Sequence, residues 1–253
     1  MAVTAIIVSG CGIFSHKLEE AATWSNEKLH EQAQKALSDR DWGLCTQYFS
    51  VLEGRATFDR FAQQAQLNAA YCSWKDNQNT AALQLINRFI QQYPAHPKLD
   101  YVFYLKGLIY FNDHLGVLGK LSGQDMSERD PQATRDAYEA FKVVVEHYPD
   151  SPYAVDAAQR MRYLVNTLTQ YEVHVADYYY RRGAYIAAAN RAQKALQQFQ
   201  NAPATEDALR ILILSYQALG DEQLARDAER VLHATFPDRA DLKGKASLFS
   251  GSN

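Results

Sequence analysis

The chain has 253 residues, enough for one large domain or two small ones with a substantial core. Its net charge of -3 and its isoelectric point near 6.2 give no electrostatic reason to expect nucleic acid as a partner. Glycine and proline are scarce, alanine, leucine and glutamine dominate, and no apolar run reaches the ~18 residues of a membrane-spanning helix. The composition therefore predicts an all-α fold.

The amino terminus carries a candidate lipid-attachment site. The stretch VSGC at residues 8–11 fits a bacterial lipobox, in which an aliphatic residue and two small residues precede the cysteine that receives the lipid. We therefore expect residues 1–10 to be a signal peptide, Cys11 to be acylated and residues 11–23 to form a tether. The leader has no Lys or Arg, so we expect its start to be truncated in this sequence. The alternative is a frayed terminus whose cysteine is incidental.

The two other cysteines, Cys45 and Cys72, lie among apolar neighbours in amphipathic segments. A thiol in such a place is usually a small core residue, and we interpret both in this way. A disulfide between them is the alternative in an exported protein.

Aromatic–proline pairs recur along the chain and indicate an internal repeat. Each pair follows an alanine that lies twelve residues before the proline. This spacing is typical of the tetratricopeptide repeat, a pair of antiparallel helices in ~34 residues whose second helix ends at the proline. The pairs are Tyr93-Pro94, Tyr148-Pro149 and Phe236-Pro237, and the alanines are Ala82, Ala137 and Ala225.

Five repeats can be placed on this pattern, and they predict a superhelical solenoid over residues 24–237. An additional helix at 152–167 is expected between the third and fourth repeats. An insertion at 112–130 separates the two helices of the third repeat, and a flexible tail is expected at 238–253. The N-terminal half, residues 26–149, contains three repeats at 26–57, 63–94 and 100–149. The C-terminal half, residues 152–237, contains the additional helix and two repeats at 169–200 and 206–237.

The sequence contains no recognisable catalytic set. Its seven histidines are scattered, without the paired spacing of a metal site. Gly119-Lys120 resembles part of a phosphate-binding loop but lacks the preceding glycine spacing and the following Ser or Thr. We therefore predict that the protein is not an enzyme and has no metal or cofactor, and that it acts through its surfaces.

Aromatic residues gather on the first helices of the second and third repeats, which would line the concave face of a solenoid. Exposing aromatic side chains to water is unfavourable unless a partner covers them. These aromatic residues therefore predict a groove for a client peptide. The alternative is that the insertion at 112–130 folds over them, and a loop acting as a lid would satisfy both interpretations. The groove residues are Gln64, Tyr71, Trp74, Tyr101, Tyr104 and Phe111.

Three stretches, at 87–108, 127–161 and 175–196, resemble the BamD family, also called ComL or YfiO. They contain the motifs HPxxDYxxYxxGL and RGAYxAxxNR, and the similarity extends over nearly the whole chain after the leader. The resemblance implies a non-enzymatic tetratricopeptide lipoprotein of the outer-membrane β-barrel assembly machinery. It would face the periplasm and be anchored in the outer membrane through a lipidated cysteine, which matches Cys11.

The resemblance also implies partners. These are BamA, bound through its periplasmic POTRA domains, companion lipoproteins such as BamC and BamE, and unfolded barrel proteins whose C-terminal signal typically ends in an aromatic residue. The family pattern places the BamA contact at Arg182 and Arg191, and we expect Arg191→Glu to weaken that contact without changing the melting temperature. Three alternatives stay open: a periplasmic adaptor for cell division or peptidoglycan hydrolases, a purely structural scaffold, and an enzyme with an unrecognised site.

Overall fold

The computed structural model describes residues 20–55, 60–113, 131–199 and 202–237, and its regular structure within these ranges is helical. The predicted all-α class is confirmed. Cys11, the tail at 238–253 and residues 114–130 of the insertion lie outside these ranges. The helices of thirteen residues or more are α1 Asn26–Ser38, α2 Trp42–Arg55, α3 Arg60–Lys75, α4 Asn79–Gln92, α5 Leu99–Asp113, α6 Gln132–His147, α7 Ala154–Arg181, α8 Tyr185–Gln198, α9 Thr205–Leu219 and α10 Glu222–Thr235.

The chain divides into two compact units, the first ending at Ile109 within α5 and the second beginning at Tyr110. In the first unit α1, α2, α3 and α4 pack each against the next, and Leu29, Phe49 and Leu52 are among the fully buried side chains. In the second unit α6 to α10 pack in the same sequential way, and α9 also contacts α7. Sequential packing of antiparallel helices is the arrangement of a helical repeat protein.

The turn between the two helices of a repeat has the same geometry in four of the five repeats. One residue adopts a left-handed conformation, and the second helix begins two residues later. The next N–H donates to a carbonyl five residues back, as Asp221 does to Tyr216, which is the Schellman form of a helix C-terminus. The left-handed residues are Arg40 and Asn77, at φ 60° and 61°, and Gly183 and Gly220, both at φ 76°.

The three aromatic–proline pairs follow helix ends, as the sequence pattern predicted, whereas the predicted repeat ends at 57 and 200 lie outside the described residues. Helices α4, α6 and α10 each stop directly before the aromatic residue of an aromatic–proline pair, whose N–H donates to the carbonyl four residues back. The alanines at the predicted close approach, Ala82, Ala137 and Ala225, are buried. A small side chain at these points lets neighbouring helix backbones come together, as the repeat requires.

The prediction of a separate helix at 152–167 was wrong. That segment and the first helix of the fourth repeat form one helix, α7, of 28 residues. No glycine or proline interrupts residues 154–181, so nothing in the local sequence ends the helix there. The hydroxyls of Thr167 and Thr169 donate to the carbonyls of Tyr163 and Val165, which accommodates both residues inside the helix.

Cys45 and Cys72 are both fully buried, as expected, but they are not free thiols. A disulfide joins them, so the alternative that the sequence left open is the one found. It links α2 to α3 and therefore ties the first repeat to the second.

Candidate functional site

In the first unit, two of the predicted groove aromatics belong to a cluster of three rings, the first-unit aromatic cluster (Trp42, Tyr71 and Trp74). The ring centroids of Tyr71 and Trp74 lie 5.8 Å apart, and those of Trp42 and Tyr71 lie 6.2 Å apart, both edge to face. All three side chains are half-buried. This geometry favours attraction between ring edges and faces while part of each ring stays open to solvent.

The helix geometry explains how the cluster forms. Tyr71 and Trp74 are one turn apart on α3, so they share a face. Trp42 is the first residue of α2 and is brought beside them because α2 packs on α3. The ammonium of Lys75 lies 5.9 Å from the Trp42 ring and 5.2 Å from the Trp74 ring, within the range of a cation–π interaction.

The other groove residues of the first unit are also half-buried. Tyr101 and Tyr104 lie on α5 at a spacing that keeps them on one face. The amide of Gln64 donates to Asn68 at 2.9 Å, so its polar end is held along α3. The predicted groove therefore retains partly exposed aromatic surface on both α3 and α5.

Phe111 also lies on α5, but after the point at which the second unit begins. Its ring contacts Phe141 on α6 at 6.4 Å and Tyr163 on α7 at 5.8 Å, between ring centroids. The guanidinium of Arg160 lies 5.0 Å from the same ring. Phe111 therefore packs between helices of its own unit, a role that the groove prediction did not include.

The motif HPxxDYxxYxxGL has a structural role at its first residue. The ring of His96 packs edge to face on Phe89 at 5.0 Å, and its Nδ1 accepts a hydrogen bond from the N–H of Lys98. Burial, with a smaller effect of Lys98, lowers the pKa of His96. A neutral imidazole is the form whose Nδ1 can accept this bond, and the bond and the ring contact together hold the loop that leads into α5.

In the second unit, Arg191 takes part in a buried charge cluster that we call the Glu172 cluster (Arg135, Glu172, Arg191 and Lys194). Glu172 on α7 is 1% exposed. Arg191 and Lys194 on α8 donate to its two carboxylate oxygens at 3.0 and 2.5 Å, and Arg135 on α6 lies 3.9 Å away. Three helices therefore meet at the carboxylate of Glu172, and three cationic side chains surround this single negative charge.

Arg191 has an outward-facing part as well. Its side chain is 37% exposed, so the guanidinium spans from the buried carboxylate to solvent. Arginine carries five donors in a planar fork, and the contact to Glu172 uses one nitrogen. The structure therefore gives Arg191 a packing role, and its contact with BamA stays a prediction.

Arg182 lies at the carboxyl end of α7, in the turn before α8, and is exposed. Its guanidinium lies 5.2 Å from the ring of Tyr178, which is itself 50% exposed. On the other side of the turn Ile186 is 66% exposed at the start of α8. Arg182 contacts Tyr178, and Ile186 follows four residues after Arg182; we call these three exposed basic and apolar residues the α7–α8 patch.

Sequence reasoning missed several of these residues. Glu172 and Arg191 are nineteen residues apart in the sequence and contact each other in the structure. Trp42 belongs to the first repeat and contacts Tyr71 of the second. Neither pairing leaves a local signal such as an i,i+4 spacing.

The described ranges hold no group of three or more His, Cys, Asp or Glu residues placed to bind a metal. Nor does any helix in them combine the length and apolar character needed to cross a membrane.

Comparisons with known proteins place the chain in a family. The family model described as YfiO, outer membrane lipoprotein, matches residues 23–231. An outer membrane protein assembly factor BamD from Neisseria meningitidis serogroup A is 47% identical over 214 residues, which cover 85% of this chain and 80% of the relative. The protein of the same description from Xylella fastidiosa strain Temecula1 is 35% identical over 242 residues, covering 96% and 82%.

A solved structure of kinesin light chain tetratricopeptide-like repeats from Podosopora anserina is 12% identical and covers 82% of this chain and 92% of its own, with a TM-score of 0.42. That similarity is too loose to add to the repeat architecture seen directly in the helices. The family match spans helices α1 to α9 and most of α10, and thus extends over both units. The chain therefore belongs to the YfiO, or BamD, family of outer membrane protein assembly factors.

Proposed function

We infer that the chain is a non-enzymatic assembly factor for outer-membrane proteins. The observation that carries this function is the family match, which runs through both helical units instead of a single repeat. Tetratricopeptide repeats of any function share helix spacing, whereas the Neisseria meningitidis serogroup A relative is 47% identical over 85% of the chain. The protein is accordingly associated with the outer membrane and with the machinery that assembles proteins there.

We propose that the α7–α8 patch and Arg191 bind BamA. An exposed arginine that contacts an exposed tyrosine, with an exposed isoleucine at the start of the next helix, has the residue types of an interface hot spot. The surplus of cations in the Glu172 cluster makes the neighbouring surface favourable for a partner's carboxylate, to which arginine can bind with two parallel hydrogen bonds. Contacts with companion lipoproteins such as BamC and BamE rest on the family resemblance alone.

We propose that the aromatic surface of the first unit receives unfolded barrel proteins. Tyr71, Trp74, Tyr101 and Tyr104 are half-buried, so each ring is anchored in the unit and still presents apolar area. Covering the exposed half of one such ring is worth ~0.8–1.5 kcal/mol, about half of the value for a fully exposed side chain, which gives weak and reversible capture. Weak capture suits a factor that must pass its client on.

We propose that Cys11 carries the lipid anchor. The lipobox pattern at residues 8–11 supports this assignment, and the family model is described as an outer membrane lipoprotein. Several acyl chains on one cysteine would hold the protein stably, whereas a single chain binds membranes only marginally.

Depletion of the protein from its own bacterium tests the function. We expect β-barrel proteins to decrease in the outer membrane and their unfolded forms to accumulate in the periplasm. The alternative function, an adaptor for cell division or peptidoglycan hydrolases, predicts normal barrel levels with a defect in septation or wall cleavage. That second outcome would contradict the assembly function.

A further inference from the structure

The segment 20–25, directly before α1, is bound to the first unit by the side chain of Arg55, the last residue of α2. Its guanidinium donates to the backbone carbonyls of Trp24 at 2.9 Å, Ala21 at 3.2 Å and Ala22 at 2.6 Å. These carbonyls lie 31 to 34 residues earlier in the sequence. One side chain therefore ties the beginning of the folded chain to the end of the second helix.

The carbonyls that Arg55 binds belong to a single helical turn. The N–H groups of Thr23 and Trp24 donate to the carbonyls three residues back, at 3.0 and 3.3 Å. The last carbonyls of such a turn lack partners within it, and arginine side chains commonly bind them. Among the ion pairs of the described ranges, none involves Arg55, so its charge is directed at these carbonyls.

Two further contacts fix the same segment. Ala21 is fully buried in the core of the first unit. The ring of Trp24 lies 5.6 Å from the ring of Tyr48 on α2, between centroids, and the ammonium of Lys28 lies 4.8 Å from the Trp24 ring. The tether expected at 11–23 therefore ends earlier, because its last residues belong to the folded unit.

The bound segment limits how far the first unit can stand from a lipid on Cys11. Glu20 is nine residues after Cys11, and nine residues span at most ~32 Å in any conformation. If residues 20–25 were released, the free chain would reach from Cys11 to Asn26, the first residue of α1, and its limit would rise to ~54 Å. The contacts of Arg55 thus remove about 20 Å of reach.

We propose that Arg55 is a positioning residue that holds the first unit close to the membrane. It fixes the point at which the tether ends and so limits the distance between the unit and the lipid surface. The inference rests on the proposed lipid anchor at Cys11 and adds a distance that the anchor alone does not set. A unit on a short tether meets a partner in the same membrane more often, because the effective concentration falls as the tether lengthens.

The three tryptophans of the chain, Trp24, Trp42 and Trp74, all lie in the first unit and make this distance measurable without a label. The full chain purified from envelopes is placed on vesicles of phosphatidylethanolamine and phosphatidylglycerol that contain a dansyl lipid, and energy transfer from tryptophan to dansyl is recorded. We expect Arg55→Ala to lower the transfer roughly twofold, because the limit rises from ~32 to ~54 Å. Arg226→Ala, which removes an exposed arginine of α10, is the control and should leave the transfer unchanged.

A second measurement reports the release of the segment itself. Chymotrypsin cleavage after Trp24, identified by mass spectrometry, requires the segment to leave Tyr48 and Arg55. We expect this cleavage to be roughly tenfold faster in Arg55→Ala, because cleavage follows the population of the opened segment. Arg55 is exposed at the end of α2, so the variant should keep the helical circular dichroism of the wild type.

A shortened tether separates the position of the unit from its structure. Arg55→Ala combined with deletion of residues 13–18 leaves Asn26 nine residues after Cys11, which restores the limit of ~32 Å. We expect energy transfer to return to the wild-type value in this variant, although cleavage after Trp24 stays fast. Recovery of the distance without recovery of the contact is a result that a merely structural role of Arg55 does not give.

The outcomes separate the role of Arg55 from the anchor. Equal transfer in the wild type and Arg55→Ala, with faster cleavage in the variant, would show that Arg55 holds the segment without setting the distance, and the proposal would be wrong. Failure of the deletion to restore transfer would overturn it as well. Cys11→Ser should show no transfer, and transfer equal to the wild type in that variant would overturn the anchor itself.

Discussion

The Glu172 cluster allows a quantitative prediction about what Arg191 does in the fold. The change is the double substitution Arg191→Ala with Lys194→Ala, which removes both donors to a carboxylate that is 1% exposed. Among the residues that the structure describes, Arg135, at 3.9 Å, is then the one cation that remains in ion-pair range of Glu172. We expect this variant to be clearly destabilised, and we expect Glu172→Gln added to it to restore part of the loss.

The magnitude follows from the burial of the carboxylate. Removing the partners of a buried charge costs about 3–5 kcal/mol, since the charge stays buried without its hydrogen bonds. The cations are about one-third exposed, so part of their own interaction energy is already screened by water. We therefore expect a loss of about 3 kcal/mol, which corresponds to a melting temperature lower by roughly 6–12 °C. Replacing the charge with the amide of Gln should recover at least ~1.5 kcal/mol.

Urea unfolding followed by circular dichroism measures these differences directly. The matched control is Glu222→Ala, which breaks an exposed ion pair with Arg226 at 3.9 Å and should change the stability by less than ~0.5 kcal/mol. A loss below ~1 kcal/mol in the double variant, or no recovery with Glu172→Gln, would refute the reasoning. The same structure argues against the expectation that Arg191→Glu leaves the melting temperature unchanged, because it would place a second carboxylate beside Glu172.

Three further predictions concern the anchor, the aromatic surface and the disulfide. Cys11→Ser should release the protein from the membrane fraction into the periplasm or leave it unprocessed, and equal membrane association of both forms on fractionation would contradict a lipid anchor. Trp74→Ala should lower the affinity for an aromatic-ended peptide roughly tenfold in a fluorescence titration while BamA binding survives, whereas joint loss of both would mean that the ring serves the fold. The Cys45–Cys72 bond closes a loop with a sequence separation of 27, so replacing both residues with Ala should lower the free energy of unfolding by ~3.5 kcal/mol in urea, and an unchanged midpoint would count against the bond.

The repeat architecture could be predicted because it depends on local sequence. Proline after an aromatic residue ends a helix wherever it occurs, and alanine at a close approach leaves a fixed spacing. The continuous helix α7 could not be predicted from the repeat pattern, because that pattern places a boundary before Thr169. Local chemistry alone, with no helix breaker between 154 and 181, would have given the correct answer.

The candidate sites were predicted less completely because they depend on contacts between helices. The repeat spacing assigned Tyr71, Trp74, Tyr101 and Tyr104 to a concave face, and in the structure all four are half-buried. The same spacing could not reveal that Phe111 packs on Phe141, since that contact is made with a later helix. Pairings across two helices have no periodic signature, and they are found only once the helices are packed together.

Co-purification of BamA from solubilised envelopes tests the central claim most directly. Arg182→Glu reverses the charge of an exposed side chain whose guanidinium lies over the ring of Tyr178. Because the side chain is exposed, the variant should keep the helical circular dichroism and the melting temperature of the wild type. Arg226→Glu, on the exposed face of α10, is the matched control. We predict that BamA is recovered with the wild-type chain and the control, and that Arg182→Glu recovers roughly tenfold less. Recovery of division proteins or peptidoglycan hydrolases without BamA would contradict the account.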